Sequence, residues 1–240
     1  MFEKALGIAE KFTFPVVRNI KIGNVVKSEA GTYVLVNKEG WFLTCAHLFE
    51  KDPNAEKKDF WWGKDGITFD KNSLIKDDEI DLAVGRLLNF NPSSDINYPV
   101  FASPEKLKKG KYVIIFGYPF LMPQATYDSA GDAFRLNLKD PFPLPVAGVY
   151  YRDHEVGRAK YIEITSKSLG GQSGGPILDE SGIVLGIQSR NQHRIIKEDE
   201  VDESGRVRAK TIDFQTAFGV HSELIIDFLK KNKIEFKTER

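Results

Sequence analysis

Gly171-Gln172-Ser173-Gly174-Gly175-Pro176 sets one serine in a run of glycines, and its reading decides the fold. A serine hydroxyl is a poor nucleophile unless a base takes its proton. Glycines on both sides let the backbone come close to a substrate and turn N–H groups toward a developing oxyanion. Taken alone, the run is also compatible with a flexible turn. Two upstream stretches give it context: Thr44-Cys45-Ala46-His47 and Asp81-Leu82-Ala83-Val84.

Two catalytic readings fit the serine run. Gly171-Gln172-Ser173-Gly174-Gly175 matches the G-x-S-x-G nucleophile elbow, and Asp213 and His221 follow in that fold's chain order. An elbow serine must open a helix after a strand. Here Ile177-Leu178, a turn at Asp179-Glu180-Ser181-Gly182, and Ile183-Val184-Leu185-Gly186-Ile187 form a β-hairpin signature, which argues against the elbow. The second reading is the chain order His, Asp, Ser, met here as His47, Asp81 and Ser173.

At all three places the sequence resembles the trypsin-like serine peptidase superfamily. Leu43-Thr44-Cys45-Ala46-His47 is like that family's L-T-A-A-H, Asp81-Leu82-Ala83-Val84 like its D-[IL]-A-[LV], and Ser173 lies in G-x-S-G-G-P. The resemblance runs from about Thr13 to about Leu229. In detail it is closer to the bacterial branch, with the HtrA-type and glutamyl endopeptidase families, than to animal digestive proteases. It implies an all-β fold of two six-stranded antiparallel β-barrels packed around a cleft, chymotrypsin-like, with short N-terminal and C-terminal helices. It also implies a serine endopeptidase that works through an acyl-enzyme. A catalytically silent protease fold used as a binding or scaffold module is the alternative; the complete set of motifs argues against it.

Composition agrees with one globular enzyme. The chain has 240 residues, 41% hydrophobic and 28% charged, which is ordinary for a soluble protein. Lys+Arg and Asp+Glu both number 34, so no net charge points to nucleic acid or an anionic membrane. The single cysteine, Cys45, excludes an intrachain disulfide. It is expected as a small core residue beside His47. Four histidines and one cysteine are widely scattered, which predicts neither a metal cluster nor a cofactor. Phe2, Ala5, Leu6 and Ala9 recur at helical spacing among charges, a short amphipathic helix rather than a secretory signal. With no stretch long enough to span a bilayer, a cytoplasmic location is expected.

Strands are expected at Phe14–Val17, Thr32–Val36, Trp41–Thr44, Leu82–Leu87, Tyr112–Gly117 and Tyr161–Thr165, with a hairpin turn at Asn37–Gly40. Lys51 to Lys58 reads as a polar loop. Pro119 to Pro145 holds five of the eleven prolines and reads as a long irregular connection. Leu224 to Lys231 has helical spacing. Residues 1–95 are assigned to the N-terminal helix and first barrel, with His47 and Asp81. Residues 96–240 are assigned to the second barrel, with Ser173, and the C-terminal helix. The boundary is placed near Pro92 to Pro104, and no PDZ domain is expected after the last helix.

By the resemblance, Ser173 is the nucleophile, His47 the base and Asp81 the residue that orients it. Asp77, Asp78 and Glu79 compete for that last place, but Asp81 enters an apolar strand. His154, His193 and His221 fit the base role poorly. Gly171 and Ser173 would donate the oxyanion-hole N–H groups. Ser189 would support Asp81 and line the substrate groove. Lys167, Ser168, Gly170, Arg190 and Gly219 complete the expected substrate-binding set. Lys167 pointing inward would favour an acidic P1 residue; Lys167 in solvent leaves a pocket for small or apolar ones. Gln188 stands where glutamyl endopeptidases place a histidine. Gln172 replaces the aspartate that pairs with a released N-terminus in animal relatives, so zymogen-type activation is not expected. The stretch Arg190 to Phe218, with its acidic run, reads as a projecting hairpin, either a solvated turn or a docking place for a regulatory partner. The expected substrate is protein or peptide.

Overall fold

In the computed structural model, which describes residues 2–63, 67–92, 97–119, 121, 123–138, 141–201 and 206–239, the apolar runs become strands. The helix α1 (Glu3–Ala9) buries Ala5 and Ala9, as its spacing predicts. Then come β1 (Thr13–Ile22), β2 (Val25–Leu35), β3 (Trp41–Thr44), β4 (Lys57–Trp61), β5 (Thr68–Asp77) and β6 (Leu82–Leu88). They pair antiparallel in the order β4-β1-β2-β3-β6-β5. The turn between β2 and β3 is held by Asn37 Oδ1, which accepts the Glu39 N–H at 3.0 Å. Gly40 closes it at φ +82°, a backbone conformation that costs glycine little.

Among the described residues β4 and β5 do not pair, so this barrel is open along one seam. Aromatic rings fill the gap instead of hydrogen bonds. Ring centroids stand 5.9 Å apart for Phe60 and Phe69, 5.2 Å for Trp62 and Phe69, and 5.1 Å for Phe49 and Phe60. Edge and offset contacts of this kind add to the area that the rings bury.

The second half holds β7 (Val100–Phe101), β8 (Tyr112–Gly117), β9 (Gln124–Asp128), β10 (Ala133–Asn137), β11 (Leu144–Val156), β12 (Ala159–Ile164), β13 (Pro176–Leu178), β14 (Val184–Val201) and β15 (Val207–His221), then the helix α2 (Ser222–Lys231) and β16 (Lys237–Thr238). Six of these strands, β13-β8-β11-β12-β15-β14, form a ring that closes because β13 also pairs with β14. Its interior is mainly aliphatic, with Val113, Ile115, Ile162, Ile164, Ile177 and Leu185 buried together beside Tyr150. The expected all-β fold of two six-stranded barrels and short terminal helices is therefore present, one barrel closed and the other open at a seam.

Two expectations change. Residues 119–145 are not irregular throughout: β9 and β10 form a hairpin, Ala133↔Asp128 to Asn137↔Gln124, and the prolines only flank it. This hairpin leans on the first barrel, where Lys57 Nζ meets Asp132 Oδ2 at 2.8 Å. The expected polar loop ends two residues early, since Lys57 already begins β4. Asp81 is the turn residue that enters the apolar strand β6.

Candidate active site

His47 sits in the 3₁₀ turn Ala46–Phe49 just after β3. Asp81 immediately precedes β6 with φ +56°, a strained conformation for a residue with a side chain, costing on the order of 1 kcal/mol. Its contacts hold it there. Asp81 Oδ1 accepts the His47 backbone N–H at 3.0 Å, and Oδ2 stands 3.0 Å from His47 Nδ1. Ser189 Oγ donates to Asp81 Oδ2 at 2.6 Å. Burial pushes the Asp81 carboxyl up, but the hydrogen bonds from His47 and Ser189 outweigh it and hold the group below the usual carboxylate range. An ionised Asp81 assigns the proton of neutral His47 to Nδ1 and leaves Nε2 as the acceptor; this tautomer is inferred from the network.

The three competing carboxylates are engaged elsewhere. Asp78 pairs with Lys76 at 2.7 Å. Asp77 and Glu79 hold Arg158, at 3.1 Å and 2.6 Å, from the turn between β11 and β12. The second barrel thus clamps the loop that carries Asp81.

Ser173, half-buried, stands in the loop before β13. Its Oγ donates to the Ser189 carbonyl at 3.2 Å, and not to His47. The register of β14 against β15 shifts between Gln188 and Arg190, so Ser189 is the extra residue of a bulge. A bulge re-aims side chains, and this one gives Ser189 two faces: its carbonyl meets Ser173 and its hydroxyl meets Asp81. His47, Asp81 and Ser173 are joined through this residue.

The glycines of the serine loop are there for close approach. A Cβ on Gly174 would run into the Thr32 carbonyl, and one on Gly175 into that of Phe116. Thr32, on β2, ties the first barrel to this loop: its N–H donates to the Ser173 carbonyl and its Oγ to the Gly171 carbonyl, both at 2.8 Å. From sequence Thr32 reads only as part of a strand; the one local signal is a hydroxyl inside the apolar run Gly31-Thr32-Tyr33-Val34-Leu35. Gln172 is fully buried. Its Oε1 accepts the Leu169 N–H at 2.8 Å and its Nε2 donates to the Leu144 carbonyl at 2.9 Å. The N–H groups of Gly171 and Ser173 meet no acceptor among the described residues.

The expected substrate-binding residues divide. Lys167 is exposed. Ser168 is buried, and its N–H and Oγ both donate to Asn191 Oδ1 at 2.9 Å. Gly170 is exposed with open space around it. A Cβ on Gly219 would collide with the Ile177 side chain. Arg190 donates to Tyr161 Oη at 2.6 Å with its guanidinium 4.8 Å over the ring centre. Arg190, Tyr161, Ser189, His47 and Asp81 share a cavity of about 330 Å³ with Glu50, Asp78 and Glu79.

The other histidines stand apart from Ser173. His193 is exposed beside Asp213 at 3.6 Å. His154 packs on Phe218. His221 caps α2, its Nδ1 accepting the Glu223 N–H at 3.1 Å. Cys45 is buried, as expected, and its Sγ donates to the Gln188 carbonyl at 3.0 Å. One expectation needs correcting: the scattered histidines and cysteine do yield a group of possible metal ligands. Cys45, His47 and Asp81 offer ligand atoms within 4.8 Å of one another. Their hydrogen bonds account for that convergence. Burial pushes the Cys45 thiol well up, away from the thiolate that a metal needs.

The model of the trypsin-like peptidase domain matches residues 31–187. The chain belongs to the trypsin-like peptidase family. No curated protein sequence matches it. Among solved structures it is similar to the HtrA-type protease AlgW with a tripeptide, at TM-score 0.56 and 16% identity. A serine-to-alanine form of AlgW with a tripeptide gives TM-score 0.57 at 15% identity. Each likeness covers 96% of this chain but 63% of the other, so the chain spans less than two thirds of those proteins. At this identity the likeness establishes the chymotrypsin-like fold.

Proposed function

We propose that this peptidase-family chain is a serine endopeptidase that hydrolyses protein peptide bonds through an acyl-enzyme. Ser173 attacks the scissile carbonyl; His47 Nε2 takes its proton and returns it to the leaving amine; Asp81 keeps the ring oriented and stabilises its charged form. Water then attacks the ester, with His47 again as base. The N–H groups of Gly171 and Ser173 receive the oxyanion, and one such donor is typically worth about 3 kcal/mol of barrier. The observation that carries this reading is Ser189, which meets Ser173 with its carbonyl and Asp81 with its hydroxyl. The Ser173–His47 hydrogen bond is left to form with substrate, as such bonds often tighten only in the complex.

Gln172 supports activity without trimming. Its own amide braces the serine loop at Leu169 and Leu144, so no released amino terminus is needed there. The exposed Lys167 and the lack of an acid at that place argue against cleavage after Lys or Arg. The β14–β15 hairpin, paired as far as Val201↔Val207, is the proposed docking place for a regulatory partner. The test is hydrolysis of an unfolded protein by the untrimmed chain and by Ser173→Ala. Loss of cleavage in the variant supports the reading. Cleavage by both would reject Ser173 as the nucleophile, and cleavage by neither would favour the binding-module alternative.

A further inference from the structure

We propose that the open seam of the first barrel is a binding site for one small apolar carboxylate, such as a medium-chain fatty acid, held by Lys58. The rings that seal β4 against β5 also line a cavity of about 740 Å³, walled by Phe49, Phe60, Trp62, Phe69, Leu74 and Leu88. Its lining includes none of His47, Asp81 and Ser173. The sheet explains why the space exists. Among the described residues β4 and β5 do not pair, so side chains rather than a backbone ladder border the gap. A concave, mostly apolar space of this size with a few polar groups suits a small organic ligand.

Lys58 supplies the charge. It shares one face of β4 with Phe60, and its Nζ stands 5.0 Å over the Phe60 ring centre. An ammonium group carries three donors. Two of them meet the Phe49 and Glu50 carbonyls at 3.4 and 3.3 Å, both long. The third has no acceptor among the described residues, and none of their carboxylates forms an ion pair with Lys58. The surroundings favour an anion. Burial lowers the pKa of Lys58, and nearby Arg18 and Lys76 add to that; a carboxylate beside it would oppose both effects. Arg18 already holds Glu29, and Lys76 holds Asp78, so of these three cations Lys58 is the one left without a counter-ion. The rim of the cavity also carries Asp59, Asp70 and the exposed Lys71. Asp59 alternates with Lys58 onto the outer face of β4, and Asp70 Oδ1 accepts the Asn72 N–H of its own turn at 2.9 Å. Two acids at the rim disfavour a dianion such as phosphate. One carboxylate on an apolar body is the ligand that fits.

The test uses the full chain and no peptide substrate, so its outcome does not depend on Ser173. Octanoate, octan-1-ol and octylamine are titrated at neutral pH by isothermal titration calorimetry. We expect one octanoate per chain. Octan-1-ol should bind about tenfold more weakly, because the charge-assisted hydrogen bond to Lys58 is lost, and octylamine more weakly still. Lys58→Met should weaken octanoate by about tenfold and leave octan-1-ol unchanged, whereas Lys58→Arg should keep most of the octanoate affinity. Absence of octanoate binding overturns the proposal, as does an alcohol or amine that binds as tightly as the acid. A folded Lys58→Met that binds octanoate like the native protein overturns it too. Should Lys58→Met fail to fold by circular dichroism, the ranking of the three probes on the native protein and on Lys58→Arg decides.

Discussion

The two barrels solve closure differently. The second completes its ring by pairing β13 with β14 and fills it mainly with aliphatic side chains. The first leaves β4 and β5 unpaired and seals the seam with Phe49, Phe60, Trp62 and Phe69. The closed ring carries Ser173; the open one carries His47 and Asp81. The lesson is that the hydrogen-bonded ring can hold a serine loop at backbone contact distance, whereas the base and its carboxylate need a second anchor. Arg158 supplies it across the gap between the sheets, while Thr32 ties the serine loop back to the first barrel.

The largest expected effect sharpens this division on the first-barrel side. Asp81→Asn should keep the fold by circular dichroism yet lower kcat for peptide hydrolysis by about 10⁴-fold, since the ring would take the wrong tautomer. A loss below tenfold would mean that Asp81 does not orient His47.

Next is the seam itself. Trp62→Ala should cost about 4 kcal/mol in denaturant unfolding, and Ile115→Val in the closed ring about 1 kcal/mol. Equal costs would break the claim that aromatic packing replaces the missing ladder.

A pH effect of smaller size tests the closed barrel. Burial is the main reason that His221 is pushed from 6.5 down to about 4, so the folded protein resists a proton that the unfolded chain accepts. Stability should therefore be full above pH about 6.5 and fall as the pH drops toward about 4, by about 3 kcal/mol from this group. His221→Asn keeps an acceptor for the Glu223 N–H and should flatten that part of the curve. An unchanged slope would show that His221 does not set it.

Smallest is the clamp. The Arg158 side chain is 62% exposed, so Arg158→Ala should leave stability almost unchanged. Its effect should appear instead as a several-fold lower kcat at unchanged KM, partly restored by Arg158→Lys. A change in KM alone would place Arg158 on the substrate path rather than behind Asp81.

What could be read from sequence was local. The Ser173 glycine run, the Asn37–Gly40 turn and the strand around Tyr112 announce themselves within a few residues. Ser189 can be singled out from sequence because it lies close to the serine hairpin, and its hydroxyl meets Asp81. Thr32 cannot, because its role depends on Gly171, 139 positions away. The β9–β10 hairpin is hidden by the prolines around it. The positive φ of Asp81 has no local signal, since an aspartate before an apolar run reads simply as the entry to a strand. Asn191 carried no motif at all; only the fold sets its amide opposite Ser168.

The central claim, that Ser173 is a nucleophile activated by the His47–Asp81 pair in the untrimmed chain, has one direct test. The protein beginning at Met1 is treated with a fluorophosphonate, digested and sequenced by mass spectrometry, beside Ser173→Ala and His47→Ala. The account predicts a single adduct on Ser173 in the native chain, none in Ser173→Ala and strongly slowed labelling in His47→Ala. An adduct on another serine, equal labelling in His47→Ala, or labelling confined to an N-terminally clipped form would contradict it.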